Sequence, residues 1–148
     1  MKKMVMLLGI FGGIVVVAGV YALLTAKEAI SPSIGTTQIG DAIFTVEVVY
    51  MPIAQMRGLS GRQSLAQDHG MLFVFGSKEN HGFVMRGMQF PIDMVWIADG
   101  EVRGITENIP ISSKEVYYPP KPVDVVLEIP AGTAAAHHIK EGDRVTYK

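Results

Sequence analysis

The 148 residues carry a formal charge of −1 and contain no cysteine. Without thiols, disulfides, thiolate metal sites and a cysteine nucleophile are excluded. Lys2 and Lys3 precede every acid, so the remainder of the chain stands at −3; a protein that neutralises phosphates needs the opposite field, which excludes nucleic acid as a partner.

The chain opens on Met4–Leu24, 21 residues without a charge (MVMLLGIFGGIVVVAGVYALL). At about 1.5 Å rise per residue, a helix of that length crosses the roughly 30 Å hydrocarbon layer. Lys2 and Lys3 hold its start on the cytoplasmic side. A cleaved signal peptide is the competing reading, but its apolar stretch is usually about 7–15 residues, and Leu24-Thr25-Ala26 is not a small-x-small cleavage site. The expected organisation is therefore a single-pass transmembrane signal anchor over 1–24, a polar linker over 25–34 and one domain over 35–148. That domain lies on the extracytoplasmic side of the cytoplasmic membrane and folds as a monomer on packing alone.

Within the domain, Gly40-Asp41 is a turn between two short strands, the second marked by the alternation of IFTVEVV. Pro52 suits a first helical turn, and PIAQMR runs to Gly58. MLFVF (71–75) reads as a strand buried on both faces, polar 76–82 as a loop, and 83–88 and 92–98 as strands. Asp99-Gly100 signals a hairpin into a strand over 101–107. The segment 110–124 holds four of the eight prolines beside Tyr117 and Tyr118, and it cannot join a sheet interior. A strand over 125–129, a short helix over 134–139 capped by Thr133, and a last strand over 144–147 complete the chain. Many short strands with close turns predict a mainly β domain, a compact sandwich or a partly closed barrel with one or two short helices.

Arg57-Gly58-Leu59, Arg62, Leu65, Asp68, Gly70–Phe75, Phe83-x-Met85, Pro91-Ile92-Asp93 and Leu127-Glu128 occur in one order. That string resembles the bacterial and archaeal family called domain of unknown function 192 and covers about residues 38–148. The resemblance implies a small, exported or membrane-tethered β-rich domain and no established activity. Relatives commonly carry Trp before the Met of Phe-x-Met; here the position is Val84.

Asp93 and Glu128 each sit inside an apolar strand, where a carboxyl is costly unless bonded. Alternation puts Asp93 with Val95 and Ile97, and Glu128 with Val126. Two such acids could form an acid–base pair, or serve as anchors for backbone N–H groups or an arginine. Arg57, Arg62 and Arg86 are the natural partners, since a guanidinium fork fits carboxylates and anionic ligands. His69, His81, His137 and His138 have no zinc-ligand spacing. His81-x3-Met85-x2-Met88 offers soft ligands for Cu(I), yet methionine is also a common core filler, and packing is the expected role. No metal and no cofactor is expected. Neither a nucleophile elbow nor a glycine-rich phosphate loop is present.

The reading that follows is a non-catalytic ligand-binding or interaction module of the cell envelope. Its candidate residues are Arg62, Arg86, Asp93, Glu128 and Tyr118, the last on a loop over the pocket edge. Its partners are the membrane and either a small polar or anionic ligand or another envelope protein. The alternative is a hydrolase or lyase acting on envelope saccharides through Asp93 and Glu128, which requires both acids to open on one cleft.

Overall fold

The computed structural model describes residues 32–148; the expected membrane span lies outside them. Among the described residues no helix is long and apolar enough to cross a membrane. Seven strands form one sheet: β1 (Ser33–Ile39), β2 (Ala42–Val49), β3 (His69–Glu79), β4 (Ile92–Ala98), β5 (Glu101–Ile109), β6 (Val123–Pro130) and β7 (Val145–Tyr147). Among the described residues two short helices accompany them, α1 (Pro52–Arg57) and α2 (Thr133–Ala136).

The strand order is β5-β4-β6-β3-β2-β1-β7, with only the β2–β3 pair parallel. The two edges meet at one corner. There Glu101 bridges Arg144, Val145 N–H donates to the Gly100 carbonyl and Val102 N–H donates to the Asp143 carbonyl. The result is a curled half-barrel, so the partly closed barrel describes this fold and the two stacked sheets of a sandwich do not. Strand β1 begins at Ser33, inside the expected linker, because Ser33 and Ile34 pair with Val48 and Glu47. The β4–β5 hairpin turns at Asp99 and Gly100, both at positive φ (55° and 69°), the conformation a two-residue type I′ turn demands.

The two faces of the sheet carry separate cores. The concave face gathers side chains from all seven strands, among them Ile39, Phe44, Leu72, Val95, Val102, Leu127 and Val145, and α2 covers it with Ala134. The opposite face of β3, β4, β5 and β6 carries Phe73, Met94, Trp96 and Val126, covered by Leu59, Phe83, Met85 and Tyr117 from the loops. Loops rather than a second sheet seal this outer core, and between them they leave a pocket.

Two expected elements differ. Residues 76–79 extend β3 rather than forming a loop, since Glu79 pairs with Val123 after a bulge. Residues 83–88 are not a strand: only Phe83 bridges, to Tyr117. Gly87 takes φ +73°, and the segment's carbonyls serve a neighbouring loop instead of a ladder.

Candidate functional site

Register decides what the two strand carboxyls can do. Asp93 lies opposite Ile129, and Met94 lies opposite Glu128. Side chains directly across a pair share a face, so Asp93 joins the concave core with Ile129 while Glu128 joins the outer core with Met94. The two acids stand on opposite faces of the sheet. They cannot open on one cleft, and an acid–base pair through Asp93 and Glu128 is ruled out by geometry.

Asp93 is fully buried and fully employed. Its Oδ1 accepts the backbone N–H of Asn108 at 2.7 Å and its Oδ2 accepts that of Ala134 at 2.9 Å. Asn108 sits at φ +53° at the end of β5, and Ala134 lies in the first turn of α2, whose N-cap is Gly132 with no side-chain cap of its own. The carboxylate therefore caps α2 from across the core, the task expected of Thr133, whose hydroxyl instead donates to Gln67. No arginine reaches Asp93. Arg62 forms a two-pronged pair with Glu47 of β2; that bond holds the Glu47 carboxyl below its ordinary range and raises the guanidinium.

Glu128 is the converse. It is 5% exposed, and its Oε2 has no hydrogen-bond partner among the described residues. Its cross-strand neighbours are Met71 and Met94, which offer no cation and no N–H. Burial alone pushes its pKa up to about 8, so at neutral pH it is a carboxylic acid, able to donate and to accept.

This group lines a pocket of about 460 Å³ on the outer face, within the usual range for small-molecule sites. Phe73, Phe75, Phe83, Leu59 and Met88 supply apolar lining. The ring of Phe83 meets Phe73 edge-on at 5.1 Å and Trp96 at 5.6 Å. His81 stacks on Phe75 at 3.7 Å and donates Nε2–H to the Ser77 carbonyl. Two loops tied to each other close the side: the Ser60 hydroxyl donates to the Arg86 carbonyl at 2.8 Å, and Gly61 N–H donates to the Gly87 carbonyl at 2.9 Å. Gly58 turns the chain from α1 into the first of these loops at φ +49°, a conformation that favours glycine. Arg57 and Arg86 are exposed side chains of the same lining, and neither forms an ion pair among the described residues.

Of the five residues expected at the site, the pocket gathers two, Arg86 and Glu128. Arg62 is engaged by Glu47, and Asp93 faces the other core. Tyr118 is 60% exposed and lies over Gly82, where an added Cβ would meet its ring; the lining does not include it. Arg57, named in the sequence with Arg62 and Arg86 as a fork for carboxylates and anionic ligands, is in the lining, and so is His81, which the sequence offered only as a soft metal ligand; the three phenylalanines carried no ligand signal in the sequence. Met85 is packed in the outer core and Met88 lines the pocket. Among the described residues no cluster of three or more His, Asp or Glu side chains could hold a metal ion.

The family model described as DUF192, Uncharacterized ACR, matches residues 35–147. Two solved structures share the fold. One, described as a candidate transcription regulator from Sinorhizobium meliloti, is 33% identical with a TM-score of 0.76, over 79% of this chain and 95% of that one. The other, a protein of unknown function from Novosphingobium aromaticivorans, is 28% identical with a TM-score of 0.71, over 78% and 84%. No curated protein matches the chain.

Proposed function

Since the chain belongs to the DUF192 family of uncharacterised domains, the pocket rather than a named reaction must guide assignment, and we propose that this protein is a non-catalytic ligand-binding module whose site is the pocket over Glu128. One observation carries the reading: a buried carboxyl oxygen with no partner among the described residues, at a cavity large enough for a small molecule. An unsatisfied buried polar group costs about 1–3 kcal/mol. A leucine or methionine would avoid that cost, so the carboxyl is accounted for when a ligand completes its hydrogen bonds. A thermal-shift screen of small polar and anionic compounds tests this. Compounds that raise the melting midpoint of the wild-type chain should lose that effect in Glu128→Leu; shifts that persist unchanged in the variant contradict the assignment.

The module is proposed to be tethered to the cytoplasmic membrane and displayed on its outer side. The support is the uncharged Met4–Leu24 stretch behind Lys2 and Lys3. Protease added to cells with an opened outer layer should digest the domain and leave a membrane-held stub. A domain that stays protected, or a mature chain beginning near Lys27, contradicts the tether.

A further inference from the structure

The chemistry of the lining narrows the ligand, an inference that rests on the pocket reading above. Its charged and titratable members are Arg57, Arg86, His81 and Glu128. Two of these are permanent cations, and the one acid is buried against Met71 and Met94. An amine entering this pocket meets two guanidinium groups, and must then strip the proton from a carboxyl that burial holds neutral. A carboxylate meets the reverse: attraction by planar forks that match its geometry. The same lining includes the aromatic and aliphatic side chains of Phe73, Phe75, Phe83, Leu59 and Met88, which favours an apolar body.

We infer that the pocket takes small carboxylic acids with an apolar or aromatic body and a neutral hydrogen-bond acceptor at the far end, the carboxylate held by Arg57 and Arg86 and the acceptor meeting the Glu128 hydroxyl. The ligand is thus read by two kinds of chemistry, charge from the arginines and a single O–H from the acid. Ionising Glu128 removes that donor and sets a negative charge against the acceptor. The lining also holds one imidazole, that of His81, stacked on Phe75 and bonded to the Ser77 carbonyl.

Four probes of one shape separate the claims: 4-methoxyphenylacetate, 4-methoxyphenethyl alcohol, 4-methoxyphenethylamine and 4-ethylphenylacetate. Their affinities for the full-length chain in detergent micelles are measured by calorimetry. The methoxy acid should bind about tenfold more tightly than the alcohol and about fivefold more tightly than the ethyl acid, one charge-assisted bond and one neutral bond respectively. Arg57→Gln with Arg86→Gln should erase the preference for acid over alcohol, whereas Arg62→Gln, outside the pocket, should leave it intact. From pH 7 to pH 9 the methoxy acid should weaken about tenfold, as protonated Glu128 is titrated away; Glu128→Gln should weaken binding about threefold and abolish that pH dependence. Preference for the amine, lost in Glu128→Gln, overturns the ligand class and leaves the pocket as the site. Equal binding of acid and alcohol overturns the arginine assignment. If none of the four binds at millimolar concentration, the pocket reading fails and this inference with it.

Discussion

The sheet buries one carboxyl on each face, and the two have opposite fates. On the concave face Asp93 accepts two backbone N–H groups and fastens the end of β5 and the start of α2 to β4. On the outer face Glu128 sits among apolar neighbours with an oxygen that nothing in the described protein satisfies. Each acid lies inside an apolar strand, Asp93 second from the start of β4 and Glu128 third from the end of β6, and local sequence does not distinguish their roles. What differs is the cover. The concave core is closed by seven strands and a helix whose backbone ends need an acceptor, while the outer core is closed by loops that bond to one another and leave a cavity. An acid that completes the scaffold's own hydrogen bonds is structural. One that is left incomplete beside a cavity is available to something else.

The contrast is most severely strained by Asp93→Ala. It leaves two buried backbone donors unpaired, and unfolding should become easier by roughly 3–5 kcal/mol. A loss under about 1 kcal/mol, measured by denaturant unfolding, would mean that the concave acid is no more structural than the outer one. Glu128→Gln should act in the other direction and stabilise the chain by roughly 1–3 kcal/mol at pH 7, because folding the amide does not require protonating a carboxyl that is ionised in the unfolded chain. Destabilisation of that size would reveal a partner that completes Glu128.

The same pair of proteins predicts a pH profile. Burial raises the Glu128 pKa above its usual 4.5 to about 8 in the folded state, so between those values the native chain keeps a proton that the unfolded chain has lost. The stability owed to this group is fully present below about 4.5, declines as pH rises, and levels off above about 8. Unfolding free energies of wild type and Glu128→Gln should coincide in acid and diverge up to that point, with all other titrations cancelling in the difference. A constant gap across the range contradicts the assignment. The smallest effect belongs to Arg62: removing its half-exposed pair with Glu47 should cost less than about 1 kcal/mol. Arg62→Gln should also add independently to Asp93→Ala, within about 0.5 kcal/mol. Strong coupling between those two would restore the arginine–aspartate contact that the structure replaces.

Periodicity carried much of this fold in the sequence. Alternation along IFTVEVV, the Asp99-Gly100 turn and Pro52 at a helix start are local signals, and each corresponds to an observed element. Alternation also set Asp93 beside Val95 and Ile97, and Glu128 beside Val126, as the two cores bear out. What no local pattern could supply was the pairing register, Asp93 opposite Ile129, which places the acids on different faces. Arg62 finds Glu47 15 positions away, a choice made by the β2–β3 connection rather than by either neighbourhood. The segment 83–88 is apolar enough to read as a strand, but Gly82 and Gly87 and the bond from Ser60 commit it to a loop. The pocket was illegible for the same reason: its lining comes from α1, two loops and two strands, brought together only by the folded chain.

The pocket can act as proposed only with Glu128 a neutral carboxylic acid in the folded protein. Its side-chain carboxyl resonance, assigned in a glutamate-¹³C-labelled chain by its absence from Glu128→Gln, can be followed from pH 3 to pH 10. A midpoint near 8, well separated from the other glutamates, is the predicted result. A midpoint near 4.5 would show the acid ionised at neutral pH, hence paired or solvated, and would remove both the open hydrogen bond and the site built on it.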